Sequence, residues 1–191
     1  TLFRSIDTDH AFLLIHLPNQ TLVYDANSSA AMKEYVWFTL DSGTTAPSTY
    51  KMRNLVWLDS KWVGASPDGT IGTYTLNNSD HFGELVGWNF ATQFIYNEGK
   101  GAVVHELELV ALTGRAKAGA IPTVWTSYSV DGVTWSLEQP KTNLMQGDRL
   151  SKVAWLQQGI LRQWRVQRFR GFSDSMLTVA RLEARLEALN V

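Results

Sequence analysis

Apolar segments of strand length recur along this chain, and turn-forming residues interrupt them about every eight to twelve residues. That rhythm confines the chain to antiparallel β architectures, the meanders from which propellers, sandwiches and barrels are made. The first instance shows the pattern best. From Ala11 to Leu17 both alternating faces are largely apolar, with Phe12, Leu14 and His16 on one side and Leu13, Ile15 and Leu17 on the other. Such a strand is central and covered on both faces. Pro18, Asn19 and Gln20 supply turn chemistry, because proline cannot donate to a ladder and asparagine tolerates left-handed geometry. Thr21 to Asp25 returns as a second strand, which makes Ser5 to Asn27 a hairpin.

The same logic carries down the chain. Asn27 to Ala31 reads as a small polar turn, Glu34 to Leu40 as a third strand and Asp41 to Ser48 as a loop. Tyr50 to Leu58, Lys61 to Ala65 and Thr70 to Leu76 continue the meander across turns at Asp59-Ser60 and at Ser66-Pro67-Asp68-Gly69. Helical periodicity is absent throughout this half. Further on, Glu84 to Tyr96 alternates loosely, Ala102 to Leu112 alternates clearly, and Thr123 to Val130 enters a hairpin at Asp131-Gly132 that leads to Trp135. Leu137 to Gly147 is irregular, and Ser151 to Phe172 carries two strands broken at Gln158-Gly159. The tail from Met176 to Leu189 is ambiguous: Ala, Leu, Glu and Arg are strong helix formers, yet apolar residues alternate cleanly with Arg181, Glu183, Arg185 and Glu187. The alternation favours a strand.

Composition narrows the function classes. Eight Trp, six Tyr and eight Phe in 191 residues suit sheets better than helices, and the length allows a sizeable core. A formal net charge of -1 predicts no global attraction to nucleic acid or to membranes. The chain has no Cys, which excludes disulfides and thiolate metal sites. No window approaches the roughly 18 uninterrupted apolar residues that a spanning helix needs, and no membrane partner is expected. Thr1 to Asp9 runs into the first strand without an initiator Met, so the chain is expected to be the downstream piece of a longer polypeptide.

Spacing offers no foothold for catalysis. The four His, at positions 10, 16, 81 and 105, show no local ligand spacing, and His105-Glu106 lacks the second His of an HExxH motif. Hydrogen-bonded structural histidines account for them. No Ser, His and acid grouping assembles from spacing alone, and neither GxSxG nor a Gly-rich phosphate loop is present. No catalytic, cofactor-binding or metal-ligating residue is expected. Ser129-Val130-Asp131-Gly132-Val133-Thr134-Trp135 looks like the Asp box of sialidase-like propellers, but it is one residue short between Asp and Trp. A hairpin turn in which Asp accepts backbone N–H bonds and Gly takes positive φ explains it, as it explains Ser66 to Thr70. The alternative, a glycan-binding or glycan-cleaving β module, draws on this motif and on the abundant Trp.

The basic residues are unevenly spread. Between positions 141 and 170, Lys141, Arg149, Lys152, Arg162, Arg165, Arg168 and Arg170 stand against Asp148 alone, a segment charge of +6. Arg162, Arg165, Arg168 and Arg170, interleaved with Trp164 and Phe169, are candidate interface or DNA-channel residues, because arginines contact phosphates or pair with acids on a neighbouring subunit. The alternative is a solvated strand face balanced by acids elsewhere in the fold.

Word-level similarity adds what spacing lacks. SIDTDHAFLLIHLPNQTLVYDANSSA resembles a segment of the packaged-DNA stabilisation proteins of short-tailed phages, the tail hub or nozzle family. The match is carried by Asp9-His10, by LLIHLP at Leu13 to Pro18 and by LVYDANSS at Leu22 to Ser29. Looser similarity follows at Trp37, at Asp131-Gly132, along Lys152 to Arg170 and in the final Arg-Leu-Glu strand. The resemblance implies a non-enzymatic virion component, here the C-terminal portion of a longer protein, assembled in the bacterial host cytoplasm. It implies β-propeller-like blades over residues 1–100 and a β-sandwich-like region over 101–191. It also implies a homo-oligomeric, sixfold ring that meets the portal adaptor, the tail needle and the tailspikes and has channel DNA passing by. The chain departs from the family pattern in its loop at Asp41 to Tyr50 and in its extended Ala/Leu/Arg/Glu tail.

Overall fold

The computed structural model describes residues 2–4, 10–75, 78–142, 144–174 and 177–189. The stretch from Ser5 to Asp9 and the expected segment ends at Leu76 and Met176 lie outside them. The chain divides into two compact units, Thr1–Val86 and Gly87–Val191, and every strand pair in both is antiparallel.

In the first unit, β1 (Leu2–Arg4), β2 (Ala11–His16), β3 (Thr21–Asp25) and β4 (Val36–Leu40) form a four-stranded meander in chain order. Strand β2 is central, as its sequence predicts, and Leu14 stands opposite Val23 in the core. Its second face is less covered than expected: Ile15 is exposed, and the same side of the sheet carries Tyr24 against a half-exposed Trp37. Between β3 and β4 the expected polar turn is a short helix, α1 (Ala26–Met32). Seven residues are too few to show helical periodicity, but the local chemistry is clear. Asp25 caps it by accepting from Ser28 N at 3.1 Å, and Lys33 ends it in the left-handed region.

The meander continues through β5 (Arg53–Leu58), β6 (Lys61–Ala65) and β7 (Ile71–Tyr74), a three-stranded sheet, and a ribbon of β8 (Asp80–His81) and β9 (Glu84–Leu85). Leu14, Val23, Tyr50, Met52 and Leu55 form one core across these sheets, with Phe12, Trp62 and Phe82 packed on it.

The second unit consists of β10 (Gly87–Ala91), β11 (Ile95–Tyr96), β12 (Ala102–Leu112), β13 (Thr123–Ser129), β14 (Gln139–Lys141), β15 (Val153–Leu156), β16 (Ile160–Leu161), β17 (Trp164–Phe172) and β18 (Thr178–Ala188). One sheet runs β10-β17-β13-β14, with β11 also on β17; the other sets β15 and β16 on one side of β12 and β18 on the other. Leu109, Val124, Val153, Trp155 and Phe169 come from both sheets and pack into one core, which makes the unit a sandwich. The tail is a strand, as its alternation predicts. Strands β10 and β11 pair with β17, so residues 87–96 belong to this unit. Gly171 is required here: a Cβ would lie 2.6 Å from the Trp88 ring and 3.1 Å from Thr123 O.

The Asp25 carboxyl yields a pH prediction. Burial pushes it up, but hydrogen bonds from the Ser28 side chain and backbone and from His10 outweigh this and hold it below the usual carboxylate range. A depressed carboxyl contributes stability that is present above its unfolded value of about 3.9 and is lost as pH falls through the lower folded value. Asp25→Ala is expected to cost about 1 kcal/mol at neutral pH, with the gap to the parent closing in acid, as measured by thermal unfolding at a series of pH values.

Candidate interaction surface

Alternation along β17 sorts the arginines that the sequence grouped together. Arg165, Gln167 and Phe169 point into the sandwich, and Trp164, Arg168, Arg170 and Phe172 point out. Arg162 precedes the strand and is exposed.

Arg165 is 1% exposed and takes no part in the surface. Its Nη1 donates to Gln158 O at 2.8 Å and its Nη2 to Gln167 Oε1 at 2.7 Å, and its guanidinium lies 4.8 Å from the centroid of the Tyr128 ring. Gln167 Nε2 donates onward to Thr126 Oγ1 at 2.6 Å, and Gln158 Nε2 to Gln139 Oε1 at 2.7 Å. Burial lowers the guanidinium pKa, and Tyr128 opposes the shift. An arginine nevertheless stays charged, so carbonyl and amide dipoles and the Tyr128 ring stabilise the cation in this interior.

Arg168 and Arg170 stay on the outer face as a half-exposed ladder. Arg170 stands opposite Trp125 in the register, with its guanidinium 4.5 Å from the ring centroid, and Arg168 lies 4.1 Å from that of Trp135. Glu138 joins them: Arg170 donates Nε and Nη2 to its two oxygens at 2.5 Å, and Arg168 Nη2 lies 3.5 Å from Oε1. The Arg170 hydrogen bonds hold the Glu138 carboxyl below its usual range despite partial burial. Much of the +6 of the sequence segment is thus answered by acids from other segments, since Lys152 also meets Glu108 at 2.7 Å. Among the described residues Arg162 makes no ion pair, and it is the member of the four that a partner can reach without displacing one.

The structure also assembles a group that spacing could not. Ser28 Oγ donates to Asp25 Oδ2 at 2.5 Å, and His10 Nδ1 lies 2.5 Å from the same oxygen and 3.3 Å from Ser28 Oγ. A nucleophilic triad places the imidazole between serine and acid through two different ring nitrogens. Here one nitrogen faces both and the serine bonds the acid directly, so the group is a helix-capping network. The other histidines are hydrogen-bonded as well, His16 to Thr21, His81 to Ser42 and His105 to Glu187. Among the described residues no three His, Asp or Glu are grouped to hold a metal ion.

Asp131 behaves as a turn former: its Oδ1 accepts from Val133 N at 2.8 Å and Thr134 N at 2.7 Å, with Gly132 at φ 76°. The aromatics give little support to a sugar platform. One face of Trp125 and one of Trp135 are covered by guanidinium groups, and Phe94 meets Trp164 edge-on at 89°.

These features define an all-β protein of two units, propeller-like sheets followed by a sandwich with a braced, half-exposed arginine ladder. Family models described as "Bacteriophage P22 Gp10, beta-propeller" and "Bacteriophage P22 Gp10, beta-sandwich" match residues 2–79 and 87–187. The chain belongs to this bacteriophage P22 Gp10 family of tail-associated phage structural proteins. A search of curated proteins returned no match.

The ladder and the free arginine are expected to respond differently to truncation. Glu138→Ala should lower stability by about 1–2 kcal/mol, because two half-buried cations lose their shared acceptor. Arg162→Ala should change it by less than about 0.5 kcal/mol. The Glu138 effect is present above about pH 4.3 and fades as pH falls through the lowered folded value, which urea unfolding followed by tryptophan fluorescence would measure.

Proposed function

We propose that this chain is the C-terminal part of a tail hub that joins a homo-oligomeric ring, sixfold in the assembled tail. In this reading the ring sits below the portal adaptor, retains the packaged DNA and carries the tail needle and tailspikes, and it is assembled in the host cytoplasm. The observation that carries the reading is the match of both units, in order, to the propeller and sandwich models of one phage tail family. The proposed role is mechanical and non-enzymatic. The second unit suits a scaffold role in that its two sheets share one packed core.

Contact with channel DNA falls to Arg162 more than to the other three arginines, since Arg165 is buried and Arg168 and Arg170 are bound to Glu138. Such contact is weak and non-specific, and its duplex affinity is expected to fall as salt rises from low to physiological. Binding indifferent to salt would contradict it.

The assembly itself is tested with the full-length protein and its cognate portal and adaptor. Electron microscopy or sedimentation is expected to show a multi-subunit ring on the adaptor. Monomers alone in the presence of that complex would overturn the proposal.

A further inference from the structure

Strand β18 presents a long open edge. Among the described residues it pairs with β12 alone, from Thr178 to Ala188, and leaves its other side without a strand. It is exposed along nearly its whole length, with only Leu182 partly covered. Its apolar side chains continue the core side of β12, where Leu186 stands beside Val104 and Leu182 beside Leu109, yet Leu186 remains 46% exposed. Unpaired N–H and C=O groups on such an edge template pairing with another chain.

The sequence of the strand specifies which chain. From Arg181 to Ala188 one face carries Arg181, Glu183, Arg185 and Glu187, and the other carries Leu182, Ala184, Leu186 and Ala188; Ala180 lies in a register shift between Val179, beside Ala111, and Arg181, beside Val110. About Ala184 the apolar residues mirror one another, and each arginine is mirrored by a glutamate. We propose that β18 pairs antiparallel with β18 of a second copy of this chain, across a two-fold axis at Ala184.

In that register Arg181 faces the partner's Glu187 and Glu183 faces the partner's Arg185. Leu182 meets the partner's Leu186 on the other face. Every cross-strand charge pair is then of opposite sign. A slip of two residues either way sets Arg against Arg and Glu against Glu, and a slip of one sets the charged face against the apolar one, so the pattern selects a single register locally. The contacts these side chains make within one chain are exposed and easily exchanged, Arg181 with Glu183 at 2.5 Å and Glu187 with His105 at 2.8 Å. An isologous contact cannot by itself close a sixfold ring, so this inference stands apart from the tail-hub reading.

The test uses the chain by itself. Because the chain has no Cys, Ala184→Cys introduces a single thiol, which in the proposed register faces its own counterpart. A short thiol cross-linker is expected to trap a covalent dimer of Ala184→Cys and at least about tenfold less of Ala188→Cys, which in the proposed register lies four residues from the axis and so far from its own counterpart. In parallel, Arg181→Glu with Arg185→Glu makes the edge wholly acidic, and Glu183→Arg with Glu187→Arg makes it wholly basic. Each double variant is expected to sediment as a monomer at concentrations where the parent dimerises, and an equal mixture of the two is expected to recover the dimer. Equal cross-linking at both cysteine positions, a parent that stays monomeric at high concentration, or charge variants that associate as the parent does would each overturn the proposal.

Discussion

Period-two alternation along β17 is the constraint on which the second unit depends. The strand pairs with β10 and β11 on one side and with β13 on the other. Its facing is therefore set twice. A shift of one residue would drive Arg168 and Arg170 into the sandwich and turn Phe169 out to solvent, exchanging buried apolar area for desolvated charge. The opposing strands add steric locks, since Trp88 lies over Gly171, where a side chain would collide with it.

Burying Arg165 in this frame is tolerable because the interior around it is polar in the right places. Gln158, Gln167, Thr126 and Gln139 link into one hydrogen-bonded chain beside the apolar core of Leu109, Phe169 and Trp155. Such a network is costly unless its members are satisfied together, which ties the two sheets to one relative placement. In the first unit Asp25 has a comparable part on a smaller scale, joining β3, the start of α1 and His10. The words that carry the family resemblance, Asp9-His10 and LVYDANSS, contain His10, Asp25 and Ser28. The resemblance thus falls on residues that build a capping network and lack a triad's geometry.

Strands were legible because their signal is local. Ala102 to Leu112 and Thr178 to Ala188 each alternate within themselves, and the structure forms strands over those ranges. Helix α1 was not legible as periodicity, although Asp25 followed by Asn27, Ser28 and Ala30 has the chemistry of a capped turn. The start of the second unit was hidden for a different reason: β10 and β11 are identified by their partner β17, which lies far along the chain. Of the candidate surface, the parity that separates Arg165 from Arg168 and Arg170 was present in the numbering. Glu138, Trp125 and Trp135 were not visible as its partners, because cross-strand contacts follow from register and turn length together.

By itself the sequence determined an antiparallel all-β chain, its turns at Asp68-Gly69 and Asp131-Gly132, and a tail with strand period, because each of these rests on neighbours within a few residues. Only the tertiary structure decided which arginine is buried, which are braced by Glu138 and which is free. It also decided that, among the described residues, no strand pairs with the outer edge of β18. Those outcomes depend on which distant strands lie alongside, and hydrogen-bond pairing between strands is set by the whole sheet.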